Sequence, residues 1–576
     1  MLHLSFAGCR LLARISGTLT VAAVAVLGLW SGPSASAAAL ASSVPVVKTT
    51  SGAVAGAAAP NMELYLGIPY AAPPVGALRW EPPQPPAKWA GTRNATGFAN
   101  HCPQNPTPFG FASATEDCLY LNVFAPSGTK AGAKLPVMVW IHGGGFTEGE
   151  SNDYDPDRLV ARGVIVVTLN YRLGYLGFLA TAGLDAEPHT HVNYGLLDQQ
   201  YALAWTQANI ASFGGDPTKT TVFGQSAGGE SVFAQVLSPG SAGLFGAAIV
   251  QSGAYEILAL PTLASAETAG DAVAVALGCS PQDTACLRNL TVAQILAQET
   301  ASGSPLGGGP SPAIDGVMIP QAPETALESG AYNHVPIVQG SNRTEFRLFT
   351  ALLFDLAGGK LTPPEYPIAV AETLEAAGLG AYTQQVLAQY PLAHYKSADL
   401  AYSALTTDAV FSTQAYLTDL LLTTGTTVYA YEFSDERAPE DFLPPVSFPY
   451  AAAHGSELQF LYDSYDRTGP KLSPVEEHLA ATMVGYWTAF AKIGTPNGFH
   501  LPLWTPYIGI ADDMESLVPP TPSLFFDFAS EHNVAFWTAL FTAQNAPGRL
   551  AAKHYLTIGS ARTAARTLHR NPAFRF

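Results

Sequence analysis

The chain has 576 residues, of which 48% are hydrophobic and 12% charged, and a formal net charge of −18. So few charges in so apolar a chain exclude a disordered polypeptide, and the length is ample for an extensive core. The acidic balance repels phosphates and argues against a nucleic-acid partner.

Arg10 and Arg14 precede an apolar run from Thr18 to Trp30, and Ala35-Ser36-Ala37 follows as an A-x-A cleavage pattern. Thirteen residues are too few to span a bilayer. Residues 1–37 are therefore expected to be a secretory signal peptide cut near Ala37, giving an exported protein without stable membrane insertion; the alternative is an uncleaved signal anchor. Cys9 leaves with that segment, and Cys102, Cys118, Cys279 and Cys286 remain. An even number in an oxidising compartment suggests disulfides. Three pairings are open; the local one, Cys102–Cys118 with Cys279–Cys286, closes two short loops and is expected, against four free thiols. The sequence has no C-x-x-C, so no zinc site is expected.

No linker interrupts residues 45–540, which points to one large domain over 38–545 and a basic tail over 546–576. Short strand-like pieces lie between Val44 and Gly67, and the Pro-rich stretch 69–91 reads as an extended, surface-hugging segment. EDCLYLNVFAP at 116–126 partly alternates as a strand does. PVMVWI at 136–141 is a continuous apolar run typical of a strand buried on both faces. VIVVTLNY at 164–171, AAIVQSG at 247–253, VPIVQGSN at 335–342 and TTVYAYEF at 426–433 are further strands. Helices are expected over 196–213 and 476–492. Strands alternating with helices imply a mostly parallel α/β sheet. The looser region beyond 260 reads as insertions over the active-site face. From Arg549 to Phe576 there are six Lys/Arg and no acid, consistent with a solvated segment, a cleavable extension or a contact with an anionic surface.

Two motifs carry the chemistry. Gly224-Gln225-Ser226-Ala227-Gly228 follows a β-branched run and precedes a helix-like stretch, the strand–turn–helix context of a nucleophile elbow. Upstream, His142-Gly143-Gly144-Gly145-Phe146 follows the strand at 136–141, where glycines let backbone N–H groups face a cavity. The two together, in this order, suggest a nucleophilic serine with an oxyanion hole. Serine needs a histidine base and the histidine a carboxylate, in the chain order Ser, acid, His. The histidines downstream are His334, His394, His454, His478, His500, His532, His554 and His569. His454 sits in a Gly-containing loop after the 426–433 strand and is favoured. Glu345, three residues after the strand at 335–342, is the leading acid, with Asp408, Asp435 and Glu436 as rivals; its bland reading is an exposed carboxylate near Arg343 or Arg347.

Together with these motifs, NYRLGYLGFL (170–179), NYGLLDQ (193–199), FGGDP (213–217), QSGA (251–254), HGSELQF (454–460) and YWTAFAKIGTPNG (486–498) resemble the type-B carboxylesterase/lipase family, including bacterial para-nitrobenzyl esterases and fungal lipases. The resemblance covers about residues 45–540. It implies an α/β-hydrolase fold with helical insertions over the active-site face. It also implies Ser226 as nucleophile, Glu345 as acid, His454 as base, and Gly144, Gly145 and Ala227 as oxyanion donors. Ser252 resembles a serine that supports the acid through hydrogen bonds. Three departures stand out. Gln225 replaces the family's glutamate, Val534 stands where a cysteine is common, and the Cys102–Cys118 loop lacks a tryptophan, which disfavours an acetylcholinesterase.

The expected activity is hydrolysis of a small-molecule or lipid ester through an acyl-enzyme, with no cofactor. The alternatives are a triacylglycerol lipase of the same fold and a non-catalytic binding or adhesion protein that retains it. Asn94, Asn289 and Asn342 begin glycosylation sequons.

Overall fold

The computed structural model describes residues 46–189, 192–254, 260–302, 311–440, 442–463, 471–509 and 512–543. The expected signal peptide and basic tail lie outside them. The main sheet is built from β1 (Ala57–Ala58), β2 (Met62–Pro69), β3 (Tyr120–Pro126), β4 (Leu135–Ile141), β5 (Ile165–Leu169), β6 (Gly215–Gln225), β7 (Ala247–Gln251), β8 (Ile337–Asn342), β9 (Val428–Phe433), β10 (Met514–Leu517) and β11 (Ser523–Phe525). Its spatial order is β11-β10-β9-β8-β7-β6-β4-β5-β3-β2-β1. The run from β5 through β4, β6, β7, β8 and β9 to β10 is parallel, and antiparallel strands flank it at both ends.

Each central strand feeds two cores. Val137, Val139 and Ile141 enter the cluster on one face, while Met138 and Trp140 enter the other. Val222 and Phe223, and Val250 and Ile249, divide the same way. This two-sided burial explains why the strands read as unbroken apolar runs. Each buried Val or Ile contributes about 1.5–3 kcal/mol. Helix α1 (Tyr194–Asn209) ends in a 3₁₀ turn, Ile210–Phe213, at the left-handed Gly214, so the expected 196–213 helix is one turn shorter as regular α-helix. Helix α2 (Ala227–Leu237) is wholly buried and belongs to the first core. Helix α3 (Pro474–Ile493) belongs to the second; it opens with a capping box between Ser473 and Glu476 and stops at left-handed Gly494. The Pro-rich segment 69–91 is irregular, but it does not hug the surface throughout: Trp80 is fully buried and its Nε1–H donates to Tyr175 O at 2.8 Å. Cys102 pairs with Cys118, and Cys279 with Cys286.

The chain leaves β4 toward β5 on one side and reaches β6 on the other. Strand order therefore reverses between β4 and β6, and the crevice beyond their carboxyl ends is the usual ligand position in such sheets. Ile141 at the end of β4 pairs with Gly224 near the end of β6. Because β8 and β9 run the same way, the loops after Asn342 and Phe433 emerge on that same edge.

Candidate active site

Ser226 sits between β6 and α2 with φ 59° and ψ −130°, a backbone conformation that non-glycine residues rarely adopt. The surroundings enforce it. A Cβ at Gly228 would lie 2.1 Å from Ile141 O, and one at Gly224 would lie 2.5 Å from Gly228 O. The Ser226 N–H donates to Gln251 O at 2.9 Å, tying the turn to β7. The result is the strained strand-to-helix elbow that lifts a serine hydroxyl off the sheet edge.

Glu345 follows β8 and is fully buried, not an exposed loop carboxylate. Its Oε2 lies 2.7 Å from Nδ1 of His454, and its Oε1 accepts the Asn342 N–H at 2.7 Å. The His454 N–H donates to the Glu345 carbonyl at 3.1 Å, so the two loops are joined through both backbone and side chain. Phe349 and Phe411 wall the imidazole, with ring centroids 5.0 and 5.2 Å away. With the Nδ1 proton directed at a carboxylate, the imidazole lone pair is on Nε2.

The glycine loop after β4 lies on the elbow: a Cβ at Gly143 would be 2.6 Å from Gln225 O. Gly144 and Gly145 have φ 103° and 59°, and a Cβ at 144 would meet Glu148 O at 2.2 Å, so neither position accepts a side chain without strain. The Gly144 carbonyl is engaged by the Thr147 and Glu148 amides, both at 3.0 Å. Among the described residues, the N–H groups of Gly144, Gly145 and Ala227 donate to no protein acceptor. The Ala227 amide opens α2, where the helix dipole favours negative charge.

Residues 43–537 match the model of the carboxylesterase family. The chain belongs to that family. It is 34% identical to cocaine esterase of Homo sapiens over 517 residues, 80% of this chain and 86% of that one. It is 34% identical to liver carboxylesterase of Sus scrofa over 542 residues, 85% and 91% of the two chains. The solved structure of a PNB esterase superposes with a TM-score of 0.70 at 30% identity, covering 85% of this chain and 98% of that one. The fold is the α/β-hydrolase fold, and the protein is a carboxylic ester hydrolase.

Within this carboxylesterase, a buried polar network backs Glu345. Glu457 Oε2 accepts from Asn342 Nδ2 at 2.6 Å and its Oε1 from Gln251 Nε2 at 3.3 Å, while Trp487 Nε1–H donates to Gln251 Oε1 at 3.0 Å. Burial, with the Glu345 charge adding to it, pushes the Glu457 carboxyl up to about 6. The sequence assigned no part in this network to Glu457, Gln251 or Asn342, although Glu457 lies within HGSELQF, Gln251 opens QSGA, and Asn342, here fully buried, begins a sequon. Ser252 does not play the expected part: its Oγ is buried without a hydrogen-bond partner among the described residues. Gln225 faces His454 instead, with its Nε2 3.2 Å from the imidazole Nε2.

The glycine loop after β4 has its own supports. His142 stacks on Tyr171 at 4.4 Å, and burial pushes its pKa down to about 4, so it is a neutral strut. Burial pushes the Glu148 carboxyl up to about 7. The rival acid Asp408 pairs with His532, one of the downstream histidines, Oδ1 to Nδ1, at 2.7 Å. Asp435 accepts from the Arg437 amide, and His334 spans Gly330 O and Gly425 O. Among the described residues, potential metal-ligand atoms of Glu81, Glu187 and His189 lie within 4.8 Å of one another, but Arg288 already bridges the two carboxylates at 3.1 and 2.6 Å. No helix among the described residues is long and apolar enough to cross a membrane.

Proposed function

We propose that this carboxylesterase works through a Ser226–His454–Glu345 triad and a covalent acyl-enzyme. The observation that carries this reading is the 2.7 Å contact between Glu345 and His454, residues 109 positions apart, beside the strained elbow that presents Ser226. Ser226 Oγ attacks the ester carbonyl while His454 Nε2 takes its proton. Glu345 holds the Nδ1 proton and stabilises the imidazolium that forms. The amides of Gly144, Gly145 and Ala227 receive the tetrahedral oxyanion. Loss of one such donor typically costs about 10²–10³ in kcat. His454 then protonates the leaving alcohol, and water hydrolyses the acyl-enzyme by the same route in reverse.

The substrate is a small-molecule or lipid ester. Phe442 contributes to the depression beside His454 and stacks edge-on with Phe109 at 5.9 Å, which favours an apolar substituent there. The leader pattern at 1–37 and the two disulfides support export of the mature enzyme.

The test is hydrolysis of para-nitrophenyl esters from C2 to C16 by mature protein beside Ser226→Ala. Activity that peaks at short chains and disappears in the variant supports the esterase. A long-chain peak that jumps above the micellar threshold supports a lipase. Equal inertness of both proteins on every chain length contradicts catalysis by this triad.

A further inference from the structure

Behind the Glu345 loop lies a second buried histidine that ester hydrolysis leaves unused. His532 is 4% exposed. Its Nδ1 is 2.7 Å from Asp408 Oδ1 and its Nε2 is 2.6 Å from Glu432 Oε1. A neutral imidazole has one N–H; two contacts of this length with carboxylates require both nitrogens to donate, which is the imidazolium. Burial alone would favour the neutral ring. The hydrogen bonds and charges of Asp408 and Glu432 override it and raise the pKa to about 10.

Both carboxylates are held from other sides as well. Asp408 Oδ2 accepts from Tyr390 Oη at 2.7 Å and Asn533 Nδ2 at 2.9 Å. Glu432 Oε2 accepts from Ser434 Oγ at 2.7 Å and faces Arg343 Nη1 at 3.5 Å. Arg343 also pairs with Glu531 at 2.6 Å and approaches Glu436 at 4.0 Å. Asp512 feels the imidazolium charge, and the Phe528 ring covers it at 4.7 Å.

Two arms lead from this knot to the proposed triad. Asp408 belongs to the π-helical turn Thr407–Ser412. On that turn Thr407 Oγ1 accepts the N–H of Phe346, the residue after Glu345, at 3.0 Å, and Phe411 packs against His454. Glu432 lies on β9 opposite Ser341 of β8. Its partner Arg343 is in the loop that carries Glu345, and the Arg343 N–H donates to Phe433 O at 2.9 Å.

We propose that the His532 imidazolium is a positioning residue for ester hydrolysis: it clamps the 407–412 turn to β9 and so fixes the loop that holds Glu345 against His454. The inference rests on the proposed triad. His532→Gln removes the charge and one of the two bridges. His532→Lys keeps a cation with several donors. With folded enzyme at 25 °C and para-nitrophenyl butyrate, His532→Gln lowers kcat by about ten- to a hundredfold, the cost of a misplaced catalytic group, while KM stays near the wild-type value. His532→Lys recovers most of kcat.

The second readout needs no activity. A pKa raised from about 6.5 to about 10 on folding gives a stabilisation that is complete below pH 6.5, declines above it and is gone above pH 10. The Tm gap between wild type and His532→Gln therefore closes as pH rises from 7 to 10. A folded His532→Gln enzyme with wild-type kcat overturns the proposal. So does equal impairment of the Gln and Lys variants, or a Tm gap independent of pH. If hydrolysis persists in Ser226→Ala, the triad reading fails instead, and the Tm series still judges the clamp.

Discussion

The side-chain amide of Gln225 stands 3.2 Å from Nε2 of His454, the nitrogen that takes the proton of Ser226 in the proposed triad. In the proposed mechanism the amide donor and the Ser226 hydroxyl compete for the one lone pair on Nε2. A hydrogen bond is worth about 0.5–1.5 kcal/mol net. Gln225→Met, similar in length but without the donor, should raise the rate of Ser226 phosphonylation by a fluorophosphonate about two- to tenfold. Stopped-flow inactivation of both proteins measures this; an unchanged or slower rate shows that the amide does not restrain the base.

Glu345 fixes which nitrogen of His454 carries the proton. Glu345→Gln keeps the shape and a hydrogen-bonding group but loses the charge and the tautomer preference. By analogy with an Asp-to-Asn change in a serine triad, kcat should fall about 10⁴-fold with little loss of stability. Steady-state kinetics beside thermal melts check it, and a loss below tenfold would remove Glu345 from the triad.

The elbow depends on backbone approach rather than on side-chain chemistry. Gly228→Ala places a methyl 2.1 Å from Ile141 O, so β4 and α2 must separate. Overpacking of this kind costs about 1–3 kcal/mol, and the same displacement moves the Ala227 amide away from the oxyanion position proposed for it. Lower Tm and strongly reduced kcat are expected together. A variant with wild-type turnover would show that the elbow tolerates a wider gap.

Glu148 predicts a pH dependence of stability. Its carboxyl rises from about 4.5 to about 7 on folding because it is buried, so the folded state favours the protonated form. Stability is highest below pH 4.5 as far as this group is concerned and falls as pH rises through 7. Glu148→Gln should therefore be more stable than wild type at pH 8, by up to about 3 kcal/mol, with the advantage fading toward pH 4.5. Urea unfolding at pH 5 and pH 8 provides the comparison; equal stabilities at pH 8 contradict the assignment.

What could be read from the chain follows how local its cause is. The strands around Val139, Val167, Phe223 and Val338 announce themselves because a parallel strand covered on both faces must be apolar throughout. The elbow and the glycine loop are legible because their conformations need glycine at fixed offsets. Carboxylate partnerships are different. Asp408, a rival for the acid, and His532, one of the downstream histidines, bond to each other across 124 positions, and no local pattern records that. Glu457 reaches the acid network only because the loops after β8 and β9 emerge on one edge. The Ser252 expectation came from resemblance; among the described residues its hydroxyl has no hydrogen-bond partner, and it is Gln251 and Asn342 that engage Glu457.

The central claim is that Ser226 is the nucleophile. The most direct measurement is intact-protein and peptide mass spectrometry of mature enzyme titrated with a fluorophosphonate while para-nitrophenyl butyrate hydrolysis is followed. The account predicts one phosphonyl group per chain, on the peptide containing Ser226, with activity lost in proportion to labelling. In Ser226→Ala it predicts no label there and a loss of kcat on the order of 10⁶. Full inactivation with the label on another residue, or a Ser226→Ala enzyme that turns over at the wild-type rate, would contradict it.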